Sequence, residues 1–100
     1  MFPKYEKMLA QLGENFKLAR LRRKLTHQQI CERANIKWNT LNLIESGYEH
    51  VKFEDYFKVL IVLNLAEDIL KLAGDDELGR KLQDIELLNK ALLNKDGAIE

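Results

Sequence analysis

The run from Leu25 to Gly47 constrains this chain more than any other part of it. It spells two short helices joined by a tight turn. Thr26 is a good N-cap, and Gln29 three positions later can return the bond as a capping box. Leu25 before the cap and Ile30 after it form a hydrophobic staple. Ile30, Cys31 and Ala34 share one helical face, with small side chains where a second helix must come close. Asn35 falls where the chain must turn, and Asn tolerates the left-handed region better than most residues. Ile36, Thr40, Leu41 and Ile44 mark the inward stripe of a second helix, while Lys37, Trp38, Asn39, Asn42 and Leu43 face the other way. Gly47 supplies the stop.

The rest of the chain also reads as helix. Pro3 can open a short helix in an N-terminal extension over 1–10. The next helix covers about 11–23, with Leu12, Phe16 and Ala19 as its core stripe. A helix over 53–63 is apolar around most of its circumference and is expected to be central. Its β-branched Val59, Ile61 and Val62 would suit a strand. Phe53, Phe57, Leu60 and Leu63 favour helix, and no second strand exists to pair with. A short fifth helix over 66–73 ends at Gly74. Asp75 or Asp76 caps a sixth, from Glu77 to about residue 94, with Leu78, Leu82, Ile85, Leu88 and Leu92 as a continuous apolar stripe. The expected architecture is all-α: a compact helical domain over 11–74, then a C-terminal helix and tail over 75–100.

One hundred residues fit one domain, and a 46% hydrophobic fraction is ample for a core. A single cysteine excludes an internal disulfide and any Cys-rich zinc site, so Cys31 reads as a core thiol. His50 has no second ligand at metal spacing, and no metal or other cofactor is expected. No Gly-rich phosphate loop, strained serine elbow or pair of catalytic carboxylates is legible, which argues against an enzyme. Asp75, Asp76 and Glu77 are better read as a helix start. No secretory signal or membrane-length apolar run is visible, so the expected compartment is the cytoplasm, without a membrane partner.

The formal net charge is zero, yet it is unevenly spread. Residues 1–50 carry nine Lys/Arg against five Asp/Glu, a balance of +4. Residues 51–100 carry seven against eleven, a balance of −4. Lys17, Arg20, Arg22, Arg23, Lys24, Arg33 and Lys37 form the basic concentration, with only Glu32 opposing them. Such a chain can set a basic face on phosphates; the plainer alternative is a solvated helix surface.

The Leu25–Gly47 segment resembles the Cro/repressor-type helix-turn-helix, or XRE, family of DNA-binding proteins. The matching positions are Leu25, Thr26, His27, Ile30-Cys31, Thr40-Leu41, Ile44-Glu45 and Gly47, and Arg20 matches the upstream Arg that pairs with the family's Glu. The likeness covers roughly residues 11 to 66. It implies a five-helix, lambda-repressor-like domain and a transcriptional repressor that binds a double-stranded DNA operator, as a homodimer. His27 stands where the family has Gln, Lys37 where it has a capping Ser, and Leu43 where an Arg is common. The run from Leu65 to Asp84 resembles the tail of antitoxins of Hip-type toxin–antitoxin systems, which implies self-repression of an operon and contact with a toxin kinase. A module that binds a toxin or other protein, with little DNA binding of its own, is the alternative.

Candidate site residues follow. Lys37, Trp38 and Asn39 start the second helix of the pair, where side chains reach base edges, and Asn42 one turn on is a second base reader. Asn bonds adenine bidentately, and Lys reaches guanine or phosphate. Trp38 can pack on a sugar or a thymine methyl, shield a partner interface, or simply cover the preceding helix. Arg23, Lys24, Thr26, His27, Gln28 and Ser46 complete the DNA-binding candidates, Thr26 and His27 at a helix N-terminus suited to phosphate. Arg20 and Glu45 form a structural pair. Leu78, Leu82, Ile85, Leu88 and Leu92 are expected to dimerise or meet a partner; the alternative is packing back on the domain, against Leu18 and Leu21.

Overall fold

A computed structural model describes residues 1–96, with the side chains of residues 82, 83, 85 and 93–96 left aside. All its regular elements are helical: α1 (Pro3–Arg22), α2 (His27–Ala34), α3 (Trp38–Ser46), α4 (Phe53–Val62), a 3₁₀ segment (Ala66–Lys71) and α5 (Glu77–Asp96). The chain divides into two compact units, Met1–Ile69 and Leu70–Glu100. Among the described residues no helix is long and apolar enough to cross a membrane.

α1 runs unbroken through the expected boundary at residue 10. Pro3 occupies its first turn, where a missing N–H costs nothing and the fixed φ suits the helix. The helix ends at Arg22, and Lys24 turns the chain in the left-handed region at φ 56°. Its buried residues are Gly13, Phe16 and Ala19; Leu12, expected in the core, is exposed. The reason is the crossing of α1 over the end of α3. A Cβ on Gly13 would lie 2.6 Å from the Glu45 carbonyl oxygen and 2.7 Å from that of Ile44. Only glycine admits that approach, so the buried stripe centres one residue later than Leu12.

α2 begins at a formed capping box: the Thr26 hydroxyl accepts from the Gln29 N–H, and the Gln29 side chain accepts from the Thr26 N–H. It ends at Asn35 in the left-handed region, φ 55°. α3 starts from Lys37, whose backbone has N-cap geometry but whose side chain makes no capping bond. It stops at Gly47, φ 80°. Phe16, Ala19, Ile30, Cys31, Ala34, Leu41, Ile44, Val59 and Leu63 are the buried core, with Leu25, Ile36, Tyr56 and Leu60 packed around it. Phe16 and Tyr56 meet edge to face, ring centroids 5.5 Å apart.

α4 is less central than its composition suggests. It buries Val59, while Phe53, Phe57 and Ile61 form an exposed stripe at i, i+4 and i+8. The expected fifth helix is a 3₁₀ segment, the usual form of a short connector. In the second unit, Asp76 Oδ1 accepts from the Gly79 N–H at 3.3 Å and caps α5. Leu78, Leu88 and Leu92 on α5 are 73%, 66% and 62% exposed. Leu82 and Ile85 of the same expected stripe lie outside the described side chains, as do residues 97–100 of the expected tail.

Candidate functional site

The outward face of α3 is the most distinctive surface of the first unit. It exists because Leu41 and Ile44 are fully buried, which turns Lys37, Trp38, Asn39 and Asn42 to solvent. Leu43 is half-buried at its edge. Behind this face, the bond between α1 and α3 holds the register. Arg20 Nε donates to Glu45 Oε2 at 2.8 Å, Nη2 to Oε1 at 3.1 Å, and Nη1 to the Leu25 carbonyl at 3.1 Å. Both side chains are about nine-tenths buried. The hydrogen bond to the Glu45 carboxylate pushes the Arg20 pKa up despite the opposing effect of burial. The expected structural pair is therefore formed, with two parallel bonds.

His27 makes a connected group with two other candidates. Its ring lies 3.9 Å from that of Trp38, tilted by 40°. Its Nε2 is 3.0 Å from Asn42 Oδ1, and its Nδ1 is 3.6 Å from Cys31 Sγ. Burial pushes the Cys31 thiol pKa up, so the sulfur keeps its hydrogen at neutral pH. His27, Trp38 and Asn42 thus form one unit across the turn between α2 and α3.

The remaining candidates have local bonds instead. Arg23 folds back and donates from Nη1 to the Ala19 carbonyl at 2.8 Å, while staying exposed. Gln28 donates to Glu32 along α2, and the Ser46 hydroxyl donates to the Leu43 carbonyl. Thr26 serves the capping box, and Lys24 forms the loop before it. None of these five makes a side-chain hydrogen bond to His27, Trp38 or Asn42.

Residues not expected from the sequence line an open groove of about 420 Å³ beside α3. It brings His50, Lys52 and Lys58 near Lys37, with Glu54 and Asp55 opposing them in charge. The signal was scattered over two elements and a loop, so no local pattern revealed it. No protein-family model, curated protein or solved structure matches the chain.

Proposed function

We propose that this chain is a sequence-specific DNA-binding protein of the Cro/repressor helix-turn-helix type, acting as a cytoplasmic transcriptional repressor. The observation that carries the reading is the outward face of α3. Four polar or aromatic side chains, Lys37, Trp38 and Asn39 at its start and Asn42 one turn on, are exposed together, two of them amides able to address base edges. Exposed Arg22, Arg23, Lys24 and Arg33 flank it in sequence and supply the cations that a phosphate backbone needs. A gel-shift assay on the DNA upstream of the coding sequence tests this. The expected result is a shift that survives random competitor DNA and is lost in the Asn39→Ala, Asn42→Ala double variant. No shift on any upstream fragment would contradict it.

The resemblance of the Leu65–Asp84 run adds an antitoxin role and a toxin kinase as partner. Co-purification of a neighbouring gene product with the full chain tests that, and its absence would remove the toxin from the account. The exposed leucines of α5 support a homodimer, since two copies are needed to engage two half-sites. Light scattering should find a dimer that Leu88→Glu converts to a monomer; an unchanged dimer would place the interface elsewhere. A second reading, a protein-binding module with little DNA affinity, draws on the exposed apolar stripe Phe53, Phe57 and Ile61. It predicts partner capture without a gel shift.

A further inference from the structure

Resting on the DNA-binding reading of α3, we propose that His27 sets the base preference of Asn42. It holds the amide oxygen, so that Asn42 offers only its N–H₂ outward and selects guanine over adenine. The contact lies between the first residue of α2 and the middle of α3, fifteen positions apart.

The atoms decide the direction of the bond. Oδ1 of Asn42 is purely an acceptor, so the Nε2 that faces it at 3.0 Å must carry the ring proton. In the neutral ring Nδ1 is then bare. Its neighbour is Cys31 Sγ at 3.6 Å, whose one S–H can turn either to Nδ1 or to the Lys37 carbonyl oxygen at 3.9 Å, the shorter contact being the one to the ring. Cys31 is buried and retains that hydrogen. The tilted contact with the Trp38 ring, centroids 3.9 Å apart, limits rotation of the imidazole. One tautomer satisfies both contacts, and it fixes which end of the Asn42 amide is occupied.

An amide reads adenine by using both ends at once, accepting from N6 and donating to N7. With its oxygen turned toward His27, Asn42 cannot lay both ends of its amide along one base edge and leads with its N–H₂ into the groove. Guanine presents only acceptors there, O6 and N7, whereas adenine sets its own N6–H₂ donor where O6 would stand, so a leading N–H₂ favours guanine. Asn39 differs: it is exposed, and no described residue holds either end of its amide. The two asparagines of α3 therefore do different jobs, with Asn39 free to address adenine.

The test is selection from a random-sequence duplex library by the full chain, repeated with Asn42→Ala and His27→Phe. The position whose preference disappears in Asn42→Ala marks the base that Asn42 meets. The parent should favour guanine over adenine there by on the order of tenfold. His27→Phe keeps a ring against Trp38 but removes both nitrogens. It releases the amide oxygen, so at that position alone the preference should turn from guanine toward adenine, the base an Asn with both ends free reads. Adenine preferred by the parent, no position altered by Asn42→Ala, or an unchanged preference in His27→Phe would each overturn the proposal. Enrichment of no sequence by the parent would instead remove the DNA-binding reading, and this inference with it. Two-bond ¹H–¹⁵N correlations of the neutral imidazole in the parent chain give a readout that needs no variant to fold. They should report the Nε2–H tautomer for His27, and the Nδ1–H tautomer would overturn the proposal.

Discussion

Arg20 on α1 grips Glu45 on α3 through two hydrogen bonds of 2.8 and 3.1 Å, across twenty-five residues of sequence. A third bond from the same guanidinium reaches the Leu25 carbonyl just ahead of α2. One cation thus ties three segments together. Removing Glu45 leaves it largely desolvated and without its counter-charge. Glu45→Ala should cost about 3 kcal/mol, the lower end of the range for a broken buried pair because some solvent still reaches both groups. Urea denaturation measures this, and a loss below about 1 kcal/mol would mean the pair is worth no more than a surface ion pair.

Gly13→Ala sets two effects against each other. Alanine improves helix propensity by about 1 kcal/mol. The new Cβ, however, meets backbone atoms of Ile44, Glu45 and Gly47 at 2.6 to 2.8 Å, none of which can swing away like a side chain. Overpacking of this kind costs about 1–3 kcal/mol or more, so the clash wins and the variant should melt lower than the parent. A higher melting temperature would show that α1 can slide off the end of α3.

Lys37→Ser should raise stability while weakening DNA binding. Position 37 has N-cap backbone geometry, φ −72° and ψ 150°, but no side-chain cap. Serine would supply one, worth about 1 kcal/mol, and would remove a cation from the positive end of the α3 dipole. It would also remove a candidate phosphate or guanine contact, which is worth about 1–3 kcal/mol where a base is read. Thermal melts and gel shifts on the same sample check both directions. A gain in stability with undiminished DNA affinity would exclude Lys37 from the interface.

Stability should fall on the alkaline side. Burial raises the pKa of both Cys31 and Tyr56 above their ordinary values of 9.0 and 10.0. The unfolded chain then loses these protons at a lower pH than the folded one. The resulting stabilisation is complete below the ordinary values and is lost as pH rises through them toward the higher folded-state values. Melting curves from about pH 7 to about pH 11, the span that brackets these two ordinary values, should show the decline, and Cys31→Ala with Tyr56→Phe should flatten it. A parent curve as flat as that of the double variant would contradict the burial argument.

Much of the first unit was legible because its signals are local. Thr26 with Gln29, Asn35 and Gly47 each act within one turn of chain, and all three do what their residue types imply. Arg20 and Glu45 were found through their register in a familiar pattern. Gly13 was not, because a helical glycine carries no hydrophobic signal; its role depends on another helix crossing over it. The overestimate of α4 has a related cause. Composition reports how apolar a helix is, and only the packing partners decide how many of its faces are covered. The bond from His27 to Asn42 depends on two side-chain rotamers across a turn, which spacing alone does not specify.

The role proposed for the α3 face and its flanking cations is binding of duplex DNA. Its most direct measurement is a salt titration of the full chain on a labelled fragment of its own upstream DNA. Phosphate contacts release condensed counterions, so affinity should fall tenfold or more between about 50 mM and about 200 mM salt, linearly on logarithmic axes. Affinity that does not change with salt, or no binding to any upstream fragment at the lower concentration, would contradict the account.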